Sequence, residues 1–245
     1  MSTSPTVTPA AAASPWLRAR LVLDRVVAAA LALLTAPVVA LLGWLVHRHD
    51  DGPPLVRVPR VGRGGREFGM WKIRSMRAET SDGRATGIAL TSSGDDRITP
   101  IGRRMRQLHL DELPQLLNVA RGEMCLLGPR PEAPAFVDHD DPAWQEVLQV
   151  PPGIAGPTQL VVGEWEVTQI DLDTTGTAYQ DVVVPVKLAI DAWYVRTATP
   201  LTDLRVLGAL LRHVLPGGDG DGLRRAVEAE VPSSAIARTA GAAGT

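Results

Sequence analysis

The chain has 245 residues, a net charge of −2 and 4% aromatic residues. This balance excludes association driven by bulk positive charge, and the scarcity of aromatics disfavours nucleic acid as a partner. Cys125 is the only cysteine, which excludes an internal disulfide and suits a reducing compartment.

Residues 1–15 are mostly Ser, Thr, Pro and Ala and read as a disordered tail. A membrane helix follows within 16–50. Its centre, "VVAAALALLTAPVVALLGWLV" between Arg25 and His47, holds 21 residues without a charge. As a helix it reaches roughly 31 Å, about one hydrocarbon thickness. Arginines flank both ends (Arg18, Arg20, Arg25; Arg48, Arg57, Arg60), so positive charge gives no direction of crossing. Two readings stay open: a spanning helix kinked at Pro37, or a helix that bends at Pro37 and re-emerges on the side it entered, with Thr35 serving the freed backbone.

From Asp51 to Pro216 the pattern is that of a soluble domain. "PPLVRVPRVGRGGREFGMWKIRSM" predicts a β-hairpin, 54–60 paired with 66–73, around the turn glycines Gly62, Gly64 and Gly65. Lys72 and Arg74 are two apart, so a strand would put them on one face, suiting an anionic ligand or simply solvent. Residues 77–97 read as a polar loop. "ITPIGRRMRQLHLDELPQLLNVARGEM" reads as helix, bend, helix, the bend set by Pro114. Asp111 then sits at a helix break or caps the second helix, beside N–H groups that favour a carboxylate or a phosphate. An ordinary capping acid explains the same pattern. In "LLGPRPEAP", Arg130 lies between two prolines. Its backbone is nearly frozen, so gripping a phosphate costs it little entropy. "HRHDD" (47–51), "GDD" (94–96) and "DHDD" (138–141) lack metal-ligand spacing and read as solvated segments. "VPVKLAIDAWYVRTATPLTDLRVLGALLRHVL" predicts two helices broken at Thr199-Pro200. The second has a wide apolar face for the core or for a membrane interface. Residues 217–245 read as a flexible tail, with a short helix near Leu223 to Glu230.

These segments carry a resemblance. "FGMWKIRSM", "TPIGRRMRQLHLDELPQLLNVARGEMCLLGPRPE", "PPGIAGPTQL" and "VPVKLAIDAWYVRTATPLTDL" resemble, in order, the motif blocks of the bacterial sugar transferases, the monotopic polyprenyl-phosphate phosphoglycosyl transferases. The resemblance runs from about Leu21 to Leu215, and the chain length suits the minimal form with one membrane helix. It implies an α+β, mostly helical fold: a re-entrant membrane helix, a β-hairpin, and a compact helical catalytic domain with interfacial amphipathic helices. It implies transfer of a phospho-sugar from a UDP-sugar donor to polyprenyl (undecaprenyl) phosphate, with release of UMP. The step would be the first membrane step of exopolysaccharide, capsule or glycoconjugate synthesis, at the cytoplasmic face of the bacterial plasma membrane. Asp111 would be the nucleophile of a covalent aspartyl intermediate and Glu112 its partner. Both would hold Mg²⁺. Lys72, Arg74, Arg106 and Arg130 would hold phosphates. The identity of the sugar and the oligomeric state, a homo-oligomer included, are left open. The chain departs from the family pattern at Ala36, Gln107, His109 and Cys125.

Overall fold

The structure, a computed structural model, describes residues 12–77, 95–173 and 177–214. Most of the expected loop over 77–97, and both the tail and the short helix beyond 217, lie outside the described residues.

The expected N-terminal tail is ordered where it is described. Ser14 caps α1 (Pro15–Ala19) and ties it down: its N–H donates to the Val195 carbonyl at 2.8 Å and its hydroxyl to the Ala198 carbonyl at 2.6 Å. Ala13 and Leu17 are buried in the main core. Helix α2 (Leu21–His49) is one 29-residue helix with Pro37 inside it. Pro37 has no N–H for the Leu33 carbonyl. Thr35 does back-bond, but its hydroxyl donates to the Leu31 carbonyl at 2.8 Å and not to the carbonyl that Pro37 frees. Both limbs of α2 pack on the rest of the chain. Ala28 and Ala32 join Met70, Leu116 and Val119; Val39, Leu42 and Val46 join Ile73 and Met105. The opposite side of the helix leaves Val22, Val26, Leu33, Leu34 and Trp44 exposed.

The hairpin forms as expected, with both strands starting one residue late: β1 (Leu55–Val61) pairs antiparallel with β2 (Glu67–Ile73), Val56 opposite Lys72. Helix α3 (Pro100–Gln107) starts at Thr99, whose side chain accepts from the Gly102 N–H at 3.0 Å. A Cβ at Gly102 would stand 2.0 Å from the Ser75 carbonyl oxygen, so only glycine lets α3 approach that backbone. After α3 comes a 3-10 turn, Leu110–Glu112, and then α4 (Gln115–Arg121). The predicted helix–bend–helix is therefore present, and of the two expected places for Asp111 the structure shows the break. Pro114, not Asp111, occupies the N-cap of α4, and His109 makes the turn with a left-handed φ of 53°. Asn118, fully buried, pins α4 to β2. Its Oδ1 accepts from the Trp71 N–H at 2.9 Å and its Nδ2 donates to the Gly69 carbonyl at 3.0 Å.

Two three-residue strands, β3 (Cys125–Leu127) and β4 (Gly153–Ala155), pair in parallel. Between them lies α5 (Pro142–Val147). Then come α6 (Pro157–Leu172), a π-helical turn over Tyr179–Val183, α7 (Val184–Thr197) and α8 (Pro200–Val214). The predicted break at Thr199-Pro200 is where α7 and α8 part. Helix α7 is the spine of the main core, with Val186, Ile190, Tyr194 and Val195 all fully buried. Each buried aliphatic side chain there stabilises the fold by about 1.5–3 kcal/mol. Helix α8 turns Val206 and Ala209 inward and leaves Leu201, Leu204 and Leu207 exposed.

Candidate active site

The strands and α7 first fix a loop. Gly153 N–H donates to the Pro129 carbonyl at 2.7 Å, Arg130 N–H to Asp191 Oδ2 at 3.2 Å, and Val61 N–H to the Glu132 carbonyl at 2.9 Å. Three successive parts of the Pro-Arg-Pro-Glu segment are thus held by β4, α7 and β1. Asp191 is itself fixed by the Thr158 hydroxyl at 2.5 Å. Burial first of all pushes the Asp191 carboxyl up to about 7, against the bonds from Thr158 and Arg130.

The second part is the 3-10 turn. Because Asn118 locks α4 to β2, the turn faces the end of β2, and Lys72 Nζ donates to Glu112 Oε1 at 2.9 Å. Burial opposes the charge on Glu112, but Lys72 and Arg130 outweigh it and hold the carboxyl down at about 2. Asp111 moves the other way: burial and the neighbouring Glu112 charge raise it, against Lys72 and Arg106. Asp111 is only 3% exposed, yet it borders a cleft of about 1730 Å³ that Glu112, Lys72, Arg106 and Arg130 also line. Arg106 Nε donates to Ser75 Oγ at 2.8 Å, which ties α3 to the segment just after β2. Arg130 keeps its charge strongly: burial acts against it, but Glu112, Glu166 and Tyr179 raise its affinity for the proton.

Four of the predicted site residues, Asp111, Glu112, Lys72 and Arg130, converge through these couplings, and Arg106 joins them at Asp111. Arg74 is placed differently. Strand β2 ends at Ile73, so the alternation that would pair Arg74 with Lys72 stops there. The Arg74 side chain is 1% exposed, its guanidinium donating to the carbonyls of Asp50 and Asp51 just beyond α2. These bonds tie α2 to the hairpin, while the Arg74 Nε has no partner among the described residues and the residue lines the same cleft as Lys72 and Asp111.

Other residues of the cleft were not singled out from the sequence. Lys187 donates to Glu132 Oε2 at 3.0 Å, Glu166 Oε1 at 3.1 Å and the Tyr179 hydroxyl at 2.7 Å, and Tyr179 donates to Glu132 Oε2 at 2.7 Å. Arg60 stands close enough to Glu132, Arg130 and Glu112 to interact electrostatically. Glu132 was within the quoted proline-rich motif; nothing in the sequence brings Lys187, Tyr179 and Glu166 to it.

Comparison with known proteins places the chain in a family. The family model described as "Bacterial sugar transferase" matches residues 16–217, and the chain belongs to that family. It is similar to a UDP-glucose:undecaprenyl-phosphate glucose-1-phosphate transferase of Caulobacter vibrioides, 43% identical over 145 residues (57% of this chain, 52% of the relative). A UDP-N-acetylgalactosamine-undecaprenyl-phosphate N-acetylgalactosaminephosphotransferase of Aeromonas hydrophila is 33% identical over 196 residues, 78% of this chain and 43% of that protein. The chain spans about half the length of these curated relatives.

Proposed function

We propose that this chain transfers a phospho-sugar from a UDP-sugar to polyprenyl phosphate and releases UMP. The observation that carries the reading is the meeting of Asp111 and Glu112 with Lys72, Arg106 and Arg130 on one cleft wall, in a chain of this family. The relatives named above supply the substrate class. In the first half-reaction an Asp111 oxygen attacks the phosphorus bearing the sugar. The bond from that phosphorus to the bridging oxygen of the diphosphate breaks, and UMP leaves with the electron pair. In the second, an oxygen of polyprenyl phosphate attacks the same phosphorus and the Asp111 carboxylate departs. Lys72, Arg106 and Arg130 offset the repulsion between the attacking carboxylate and the phosphates. Arg74 lines the same cleft but is left out of this set because both its terminal nitrogens donate to the Asp50 and Asp51 carbonyls.

The donor set fits Mg²⁺. Among the described residues no group of three or more His, Cys, Asp or Glu side chains could cage a metal, but Mg²⁺ needs only one or two carboxylates beside substrate phosphates. Asp111 and Glu112 would hold it, and it supplies charge neutralisation at the diphosphate.

Both limbs of α2 packing on one domain, with basic residues at both ends, favours the re-entrant reading and a site on the cytoplasmic face. The outward leucines of α8 then lie at the interface. Incubating the detergent-solubilised protein with a panel of UDP-sugars, Mg²⁺ and undecaprenyl phosphate tests the function. Sugar-dependent UMP release with label entering the organic phase supports it; no release with any sugar overturns it.

A further inference from the structure

Two kinds of wall enclose the cleft at Asp111. One is the charged wall described above. The other is mainly apolar and is built from three helices: Leu23, Val27 and Leu31 of α2, Gly163 and Val167 of α6, and Leu207 of α8, with Asp24, Gln159 and Glu166 of the same helices also lining the cleft. Arg20, at the start of α2, is ion-paired with Asp203 in the first turn of α8, which fixes the mouth between those helices. At about 1730 Å³ the whole cleft exceeds the roughly 300–1,000 Å³ of ordinary small-molecule sites. Leu23, Leu31, Val167 and Leu207 all remain exposed, and the outward leucines of α8 continue the apolar surface beyond the mouth. Gly163 decides how open this wall is. A Cβ built on it meets nothing within 4 Å, so the glycine faces empty space in the middle of a 16-residue helix.

We propose that this apolar trough seats the isoprenoid chain of the acceptor, with Gly163 as the point where the chain passes α6. The inference rests on the function proposed above and adds the path of the lipid. The trough runs into the wall that holds Lys72 and Arg130, so one molecule with an anionic head and a branched hydrocarbon tail satisfies both ends. A sugar nucleotide is polar throughout and gains nothing from the apolar wall. A straight acyl chain is the competing hydrocarbon, and the test separates it.

The experiment uses the full chain in nanodiscs. Wild type and the series Gly163→Ala, Gly163→Leu and Gly163→Trp are assayed for UMP release without acceptor, and for transfer to undecaprenyl phosphate and to geranyl phosphate. A benzophenone-bearing prenyl phosphate is photo-crosslinked in parallel. Side chains of growing size block the trough progressively. Transfer to undecaprenyl phosphate is expected to fall at least tenfold in the Trp variant while UMP release falls less than twofold and geranyl phosphate is affected less. Crosslinks should map to α6 and α8, and unlabelled undecaprenyl phosphate, not a fatty-acyl phosphatidic acid, should compete them. Equal loss with both acceptors, no loss in the Leu and Trp variants, or crosslinks elsewhere overturns the proposal. Should the Trp variant fail to fold, Gly163→Leu and Leu207→Gln decide by the same ratio. A wild type that is crosslinked in the trough but releases no UMP contradicts the enzymatic reading and leaves the trough standing.

Discussion

Lys72 and Glu112 join two separately built parts of the site, the end of β2 and the turn that carries Asp111, through a bond of 2.9 Å. The geometry depends on Asn118, which fixes α4 to the strand backbone. Glu112 therefore stays charged far into acid, and Lys72 has a defined place beside Asp111.

Lys72→Met is expected to lower kcat/KM by about 10²-fold or more, the usual consequence of removing one positioned charge donor. It also bears on acid stability. The folded Glu112 carboxyl sits at about 2 against an ordinary 4.5, so the stability it contributes is present above about pH 4.5 and lost as pH falls toward 2. The variant should be less stable than wild type by about 1–3 kcal/mol at pH 7, with the gap closing near pH 2. Urea unfolding at the two pH values checks this; a gap independent of pH contradicts it.

Arg74→Met separates fold from chemistry. It leaves the carbonyls of Asp50 and Asp51 without their buried donor, at a cost of about 1–3 kcal/mol. A lowered thermal midpoint with donor KM near wild type is expected. A large rise in donor KM at unchanged stability would return Arg74 to the phosphate site.

Asp191 should leave a pH signature of opposite sign. Its folded carboxyl is raised to about 7 from an ordinary 3.8, so the folded state binds the proton better and loses this advantage as pH rises between those values. Asp191→Asn cannot ionise. Its stability deficit against wild type should shrink from pH 4 to pH 7.5 in chemical denaturation. Because Asp191 holds the Arg130 backbone, donor KM should rise more than kcat falls. A constant deficit contradicts the burial argument.

Cys125 is fully enclosed, its Sγ 3.2 Å from the carbonyls of both Leu127 and Pro151, either of which can accept its one S–H. Burial pushes its thiol up to about 12. Iodoacetamide at pH 8 should leave it unmodified in the folded protein and label it after unfolding. Cys125→Ser, which keeps a donor in place, should be near neutral in activity. Rapid labelling of the native protein contradicts this.

The hairpin was legible because alternating apolar residues flank three turn glycines, and the helix break because Pro114 cannot continue a helix from Leu110. The detail of that break was not, since a left-handed φ is uncommon for any residue but glycine, and histidine's mild tolerance of it marks no particular position. Strands β3 and β4 are three residues each, too short to show a period. The site was read from motifs at Lys72, Asp111, Glu112 and Arg130. Strand alternation alone does not carry Arg74 to the face of Lys72, because β2 ends at Ile73. Lys187, Tyr179 and Glu166 meet only through tertiary packing, which one sequence does not display.

The central claim is that the Asp111 carboxylate takes the phospho-sugar. The most direct measurement is intact and peptide mass spectrometry after mixing the protein with a UDP-sugar and Mg²⁺ in the absence of lipid. The account predicts stoichiometric UMP and a hydroxylamine-labile hexose-phosphate mass on the peptide containing Asp111, absent in Asp111→Asn and discharged by undecaprenyl phosphate. Full transfer activity in Asp111→Asn, or the adduct on another residue, would contradict it.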